Sequence, residues 1–296
     1  MIVVAGESLI DLVPQHPEDP LGPLAPRPGG GPYNTAVALG RLGAGAAFCS
    51  RVSTDGFGEA LLGGLHAAGV DTSLVQRGPE PTTLAVASLA PDGSARYGFY
   101  ADGTADRLFE LPPQLPPDAS ALALGTCSLV LEPGATAYEA LLRRESARGV
   151  LTLLDPNVRP GLIPDPDAYR ARFRSWLPYV SLLKLSAEDA AWLGGEVAEW
   201  LAAGPEAVVV TRGAAGLTAF TSQGTEHSVP AERVAVADTI GAGDTVNAAL
   251  LHRLADLDAL ASADWPEVLR HAARAAGLTC TREGAQPPTA EELERA

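Results

Sequence analysis

The chain has 296 residues, 46% of them hydrophobic, with 21 basic against 36 acidic side chains and a formal net charge of −15. This length fits one large α/β domain or two smaller ones, and the hydrophobic content is enough for a substantial core. The negative charge argues against a surface for nucleic acid or anionic membrane, so a polyanionic ligand would need a local positive site.

Cysteine usage and the first residues indicate the compartment. Cys49, Cys127 and Cys280 lie far apart and show no Cys-x-x-Cys spacing, so we expect reduced thiols and a cytoplasmic protein. The segment Met1–Glu7 has no basic region before its first acid, which is not typical of a secretory signal peptide. No apolar run approaches the length of a membrane span. We therefore expect neither a nucleic-acid nor a membrane partner.

Short apolar runs alternate with helical patterns along the chain, which predicts an α/β fold with a mostly parallel central sheet covered by helices. The predicted buried strands are Ile2–Ala5, Ala46–Ser50, Leu122–Leu124, Leu151–Leu154, Ser181–Leu183 and Ala207–Thr211. The predicted helices are Asn34–Leu42, Gly58–Ala68, Thr136–Ala147, Glu188–Trp192, Asp244–Leu254 and Trp265–Thr281.

Two regions break this alternation and predict a small antiparallel sheet. Ile10–Val13 is one candidate strand, and Thr82–Leu89 and Ser94–Tyr100 form a candidate hairpin closed by the turn Pro91-Asp92-Gly93. Such an insertion must pack on something or pair with a partner. We expect a lid over a binding site, which could also join two copies; the alternative is a surface hairpin without function.

Three segments have no clear pattern of strand or helix. The proline-rich stretches Pro14–Pro28 and Leu111–Pro117 predict loops or linkers. The end of the chain after Gly284 is predicted to be frayed.

The first candidate site is a glycine cluster near the amino terminus. Gly29, Gly30 and Gly31 run into a predicted helix that carries Asn34. Glycines let the backbone lie against a small ligand, and the Asn34 amide can bind hydroxyl groups; a plain loop ending in a helix cap is the alternative. Asp11 is either a solvated turn residue or an acceptor for two hydroxyls.

Polar residues follow two predicted strands. Asn157 and Arg159 come after Leu151–Leu154, and Lys184 and Glu188 mark the next strand-to-helix junction. Carboxyl ends of strands line the ligand crevice of open α/β sheets. Arg159 is therefore either a charge-neutralising group or a surface arginine, and Glu188 either orients water around magnesium or is an ordinary acid of a first helical turn.

A turn near residue 213 and the absence of two motifs bear on the nucleotide. Thr211, Gly213 and Gly216 join two apolar runs and predict either a nucleotide-phosphate loop or a simple hairpin. The chain contains neither a Walker A motif nor a Gly-x-Gly-x-x-Gly fingerprint. This argues against a P-loop enzyme and against a dinucleotide-dependent oxidoreductase.

The most informative stretch is Asp238-Thr239-Ile240-Gly241-Ala242-Gly243-Asp244, where an extended segment becomes a helix. Unpaired amides and the positive end of the helix dipole suit an anion. Asp244 beside them could accept a hydroxyl proton during phosphoryl transfer, and we expect the helix to hold its pKa down. The alternative is an Asp cap after a glycine turn.

In this order, the glycine cluster, the lid, the strand-end residues and the Asp238–Asp244 stretch resemble the ribokinase-like (PfkB) family of sugar kinases, over Gly6 to Ala285. The resemblance implies one three-layer α/β/α domain over 1–296, with lid segments at about 10–28 and 74–106. It implies a MgATP-dependent kinase acting on a monosaccharide, and it allows for a potassium ion and a homodimer formed through the lid.

By the same resemblance, Asp244 is the catalytic base and the amides of Gly241, Ala242 and Gly243 form the anion hole. The positions matching the substrate side are Asp11, Gly30, Asn34, Tyr100, Asn157 and Arg159. The positions matching the nucleotide or cofactor side are Lys184, Thr211, Gly213, Gly216, Asp238 and Cys280. Glu188 matches the acid that organises magnesium.

Two departures from the family pattern bear on the substrate. Leu185 stands three residues before Glu188, where the family has Asn, a variant familiar among bacterial fructokinases. Ala101 replaces a lid arginine that a substrate carboxylate would want. These favour a neutral sugar, with fructose first. The alternatives are a 2-keto-3-deoxygluconate kinase, which Arg159 could still serve, a ribokinase or nucleoside kinase, and a catalytically silent sugar sensor.

Overall fold

The fold is built on a large, mostly parallel sheet. The computed structural model describes residues 1–16, 19, 21–89, 95–257 and 259–295. In this part of the chain the large sheet has nine strands in the order β13-β12-β11-β10-β9-β8-β1-β4-β5. β12 runs antiparallel to both of its neighbours, β11 and β13. These strands are β1 (Ile2–Ala5), β4 (Ala46–Ser53), β5 (Val75–Gly78), β8 (Ala121–Gly125), β9 (Leu151–Asp155), β10 (Leu182–Ser186), β11 (Ala207–Thr211), β12 (Leu217–Thr221) and β13 (Glu226–Val229).

Helices pack on both faces of this sheet. They are α1 (Gly31–Arg41), α2 (Gly56–Ala67), α3 (Gly134–Ala147), α4 (Pro166–Trp176), α5 (Ala187–Leu193), α6 (Val197–Ala203), α7 (Ala242–Leu254), α8 (Trp265–Cys280) and α9 (Ala290–Arg295). Val4 packs with α1, α7 and α8, whereas the adjacent Val3 packs in a second core with α3, α4 and α6. Because both faces are buried, strands such as β1 are apolar throughout. The predicted three-layer α/β/α fold is confirmed.

A second sheet of four strands has the order β3-β2-β6-β7. Its strands are β2 (Leu9–Pro14), β3 (Leu24–Gly29), β6 (Thr83–Leu89) and β7 (Ala95–Tyr100). The predicted pairing of the two hairpin strands is present, and the turn predicted at 91–93 lies outside the described residues. Val75–Gly78 instead pairs with β4 in the large sheet, so the small sheet resumes later than the predicted 74.

The prediction of a loop over Pro14–Pro28 was wrong for its second half. Leu24–Gly29 is a strand that pairs with β2 in full register. β3 lies at the edge of the small sheet, where a strand tolerates proline because one row of its amides needs no partner. Pro26 and Pro28 therefore do not prevent pairing.

The prediction of a frayed carboxyl end was also wrong. Residues Ala290–Arg295 form α9, and Leu293 is buried against the core. Thr289 and Glu292 cap each other's amides at 2.8 and 3.2 Å, as in a capping box. Glu292 also pairs with Arg282 at 2.8 Å. These tertiary contacts dock a segment whose local pattern is too short to predict.

No helix in the described ranges is long and apolar enough to cross a membrane.

Candidate active site

A cavity of about 270 Å³ lies between the carboxyl ends of the parallel strands and the small sheet. It collects predicted residues from distant parts of the chain. Those that line it are Asp11, Gly30, Asn34, Asn157, Arg159, Lys184, Gly241, Gly243 and Asp244. The strand-end rule explains the convergence, because β1, β8, β9 and β10 are neighbours in the sheet and end on one side.

Asp244 lies in the first turn of α7 and is 8% exposed. Its Oδ2 accepts a hydrogen bond from the Asn34 side-chain amide at 2.8 Å, which ties α7 to the start of α1. Burial raises the pKa of Asp244 to about 7, although the Asn34 hydrogen bond and the Lys184 charge lower it. The expected low pKa was wrong because removal from water outweighs the favourable helix end. A carboxyl group that titrates near neutrality suits a general base.

The backbone before Asp244 presents free amides to the cavity. Gly241 is the N-cap residue with φ 75°, a left-handed conformation that favours glycine, and an added Cβ would lie 2.6 Å from Ala285 Cβ. Within the described chain the amides of Gly241, Gly243 and Asp244 make no hydrogen bond. The Ala242 amide differs from the prediction, because it donates to the Thr239 carbonyl at 3.2 Å. The free amides and the helix end can bind an anion.

A buried charged triad lies beside this helix end. Lys184 Nζ donates to Asp155 Oδ2 at 2.8 Å, and the same oxygen accepts from Asn247 Nδ2 at 2.8 Å. The ends of β9 and β10 and the first turns of α7 are thereby joined. Lys184 also lines the cavity next to Gly243, whose missing side chain leaves space for the ammonium group. The lysine was predicted on the nucleotide side, and in the structure it lines the same cavity as Asp244.

Polar side chains from β2 and from the loop after β9 also line the cavity. Asp11 lies on β2, and burial raises its pKa to about 6 while the Arg159 charge lowers it. Arg159 donates to the Asn157 side-chain oxygen at 2.7 Å and to its carbonyl at 3.0 Å. Asn157 has φ 38°, which is uncommon for a residue with a side chain and is often seen at functional sites.

Tyr100 does not reach the cavity. Side chains of β7 alternate between faces, so Tyr97 and Phe99 line the cavity while Tyr100 points to the other face and is 66% exposed. The prediction that Tyr100 contacts the substrate is therefore wrong. The side chain of its neighbour Phe99 faces the cavity instead.

The acid that turns inward after β10 is Asp189. Glu188 is exposed in the first turn of α5, whereas Asp189 is buried. Asp189 accepts from the Val158 amide at 2.8 Å and forms a capping box with Ser186. The Glu188 side chain is thus accessible to a ligand that approaches from solvent, whereas Asp189 supports the loop that carries Asn157.

Three of the predicted nucleotide residues, Thr211, Gly213 and Gly216, do not line the cavity but lie at the end of β11 and in the turn after it. Thr211 ends β11, and Gly216 has φ 93° and lies so close to the Val229 carbonyl that a Cβ would meet it at 2.0 Å. Gly213 starts a short 3-10 turn between them. They occupy the same edge of the sheet, two strands away from Asn157.

Asp238 and Cys280 brace the loop before α7. The Asp238 carboxylate accepts from the amides of Ile240 at 3.0 Å and Gly284 at 2.8 Å. The Cys280 carbonyl accepts from the Ala237 amide at 2.8 Å. In this arrangement both residues hold the loop to the carboxyl end of α8.

Several lining residues were not predicted. They are Glu7, Leu9, Tyr97, Phe99, Thr126, Cys127, Thr239 and Ile240. Glu7 and Thr126 follow β1 and β8, so the strand-end rule that identified Asn157 also applies to them. The Glu7 carboxylate holds Thr126 Oγ1 and accepts from the Ser128 amide at 3.0 Å, and Thr126 has φ 57°.

The pfkB family of carbohydrate kinases matches residues 1–292. The chain belongs to this family. It is 42% identical over 262 residues to a fructokinase of Rhizobium leguminosarum bv. trifolii, covering 86% of this chain and 79% of that protein. It is 34% identical over 307 residues to fructokinase-2 of Zea mays, covering 97% and 90%. The protein is therefore a carbohydrate kinase.

Solved structures agree with the sequence relatives. Fructokinase with bound ATP from Xylella fastidiosa has a TM-score of 0.89 and 29% identity, with 99% of this chain and 97% of that chain covered. A fructokinase double mutant from Vibrio cholerae O395, in a fructose, ADP and potassium ion bound form, has a TM-score of 0.83 and 25% identity, with 99% and 94% covered.

The raised pKa of Asp244 predicts a pH-dependent stability. Its folded pKa of about 7 exceeds the ordinary value of 3.8, so its contribution to folding is complete below that value and is lost as the pH rises through about 7. Asp244→Asn, which stays uncharged, should therefore have a higher Tm than the parent above pH 7, and the difference should vanish at acid pH. Thermal denaturation across this range checks it.

Asp118→Asn, which changes an exposed acid in the loop before β8, is the matched control and should not change the pH dependence. Parallel curves for Asp244→Asn and the parent would contradict burial of a titrating carboxylate.

Proposed function

We propose that this kinase transfers the γ-phosphoryl group of MgATP to a monosaccharide hydroxyl, with D-fructose as substrate and fructose 6-phosphate as product. The observation that carries the proposal is a buried carboxylate, Asp244, next to free amides at the start of α7 in a cavity with hydroxyl-binding side chains. The fructokinase relatives support the choice of sugar.

The reaction follows from this arrangement. The sugar O6 attacks the γ-phosphorus, the bond from that phosphorus to the bridging oxygen of ADP breaks, and Asp244 accepts the hydroxyl proton. The amides of Gly241, Gly243 and Asp244 hold the transferring group, whose charge the positive end of α7 stabilises. Catalysis of this kind consists mostly of positioning and charge stabilisation.

The charges of the cavity favour a neutral sugar. Glu7, Asp11 and Asp244 contribute acids, while the Lys184 ammonium is already paired with Asp155. Arg159 is the remaining base of the lining, and it is hydrogen-bonded to Asn157. The catalytic step needs an ionised Asp244, and a sugar carboxylate would place a second negative charge beside it. The 2-keto-3-deoxygluconate alternative keeps one supporting observation, which is that Arg159 faces the cavity.

ATP is proposed to lie along the ends of β10 and β11, where Thr211, Gly213 and Gly216 form the turn. Magnesium would arrive with its phosphates and add positive charge there. No group of three or more metal-ligating side chains exists in the described ranges, which fits an ion held mainly by phosphates and water. We propose that exposed Glu188 orders that water.

A potassium ion is proposed beside the loop that Asp238 and Cys280 brace. The loop offers backbone carbonyls near a carboxylate, and the Vibrio cholerae relative is described in a potassium ion bound form. Turnover should be higher in potassium than in tetramethylammonium buffer of equal ionic strength. Equal rates in the two buffers would contradict the proposal.

The outer face of the small sheet is proposed to join two copies in a homodimer. Tyr100 is 66% and Leu24 40% exposed on the face that points away from the cavity. Tyr100→Arg should shift the apparent mass in sedimentation toward one chain, because it puts charge into an apolar contact. An unchanged mass, or a monomeric parent, would contradict the homodimer. Since ATP is the proposed donor, we place the enzyme in the cytoplasm.

Asp244→Ala should lower kcat by about 10²- to 10⁴-fold, because it removes the general base. Fructose and nucleotide should still bind, which calorimetry measures. ADP release is followed for fructose, ribose, 2-keto-3-deoxygluconate and nucleosides. Strong turnover with the keto-deoxy acid alone would overturn the choice of sugar, and near-normal turnover of Asp244→Ala would overturn the assignment of the base. Asp118→Ala is the control acid and should remain active.

A further inference from the structure

A second, much smaller cavity of about 10 Å³ lies on the inner side of Asp244, between α1, α7 and the ends of β8 and β9. Its polar lining comes from Thr35, Thr126, Asp155, Asp244 and Asn247. A polar cavity of about 10 Å³ has room for one water molecule. The site differs from the sugar cavity, whose lining includes neither Asp155 nor Asn247.

Two buried oxygens in this lining need donors. Asp155 and Asn247 are 3% and 4% exposed, and within the described chain neither Oδ1 has a hydrogen-bond partner. The orientation of the Asn247 amide is set by its bond to Asp155 Oδ2, since only Nδ2 can donate there. Its Oδ1 must therefore accept from something else. A buried acceptor left without a donor destabilises the folded state.

One water molecule can supply the hydrogen bonds that these two oxygen atoms lack. It has two protons for the two Oδ1 atoms, and its lone pair can accept from Thr35 Oγ1, whose hydrogen bond to the Asp244 carbonyl is long at 3.4 Å. A cation is less suitable, because the Lys184 ammonium already neutralises Asp155.

We propose that one water molecule is bound in this cavity by Asp155, Asn247 and Thr35, and that Asn247 is a positioning residue for Asp244. Asn247 is one helical turn after Asp244 on the same face of α7. Its bond to Asp155 docks that turn on the end of β9, and the water fills the remaining space under the carboxylate. Asp244 is thus held from both sides, by Asn34 at the cavity and by the hydrated Asn247 beneath.

Crystallography of the full chain tests the water directly and does not depend on the substrate. One ordered water is expected about 2.8 Å from Asp155 Oδ1 and Asn247 Oδ1. Rotation of either side chain to a protein donor, or closure of the cavity, would overturn the proposal.

Kinetics of two variants test the positioning role, which rests on the proposed sugar kinase reaction. Asn247→Leu fills the site with an apolar group of similar size and should lower kcat about 10- to 100-fold, with KM for sugar and ATP unchanged, because the base is displaced. Asn247→Ala leaves room for a further water to donate to Asp155 and should keep most of the activity.

Equal losses in Asn247→Leu and Asn247→Ala would overturn the role of the water, and normal kcat in Asn247→Leu would overturn the positioning role. Thr279→Val is the matched control, since Thr279 forms a buried hydrogen bond to Thr245 of α7 at 3.0 Å away from the cavity. It should lower Tm but not kcat. A parent enzyme inactive on every sugar would refute the proposed function and leave the crystallographic result standing.

Discussion

The burial of the Asp244 carboxylate at the start of α7 is the constraint on which the site depends. Water is removed from the carboxylate, so its charge is disfavoured and its pKa rises toward neutrality. The same exclusion of water strengthens the free amides around it as binders of a transferring anion. Burial of this carboxylate therefore lowers the stability of the folded protein above neutral pH. It also provides a general base that acts near that pH.

Two sets of polar contacts hold this carboxylate and its helix in place. Asn34 brings α1 to its side, and the triad of Lys184, Asp155 and Asn247 joins the strand ends beneath it. Asn247 belongs to α7 itself, while the other partners come from α1, β9 and β10. They can meet because the parallel strands end on one side of the sheet. Replacing any of these residues would leave a buried polar group without its partner, so their effects should not be additive.

The small sheet and two strained residues complete the enclosure. β2 and β7 place Asp11, Tyr97 and Phe99 over the cavity, while Thr126 and Asn157 hold positive φ angles at the ends of β8 and β9. Buried carboxylates support both: Glu7 holds the Thr126 hydroxyl, and Asp189 accepts from the amide after Asn157. Strain at a site is kept only where the surroundings over-determine it, and here they do.

The layered fold, the edge of the sheet that carries the site and the family could all be predicted from the order of residues along the chain. Buried parallel strands are apolar along their whole length, and glycines before a helix mark a backbone that must approach a ligand. Four features could be read only from the folded chain: Tyr100 faces away from the cavity, Asp189 and not Glu188 turns inward, α9 docks on the core, and the pKa of Asp244 is high. The face to which a strand residue points, the docking of a short helix and the removal of water from a carboxylate all depend on groups that are distant in the chain. A local sequence pattern carries no information about those groups.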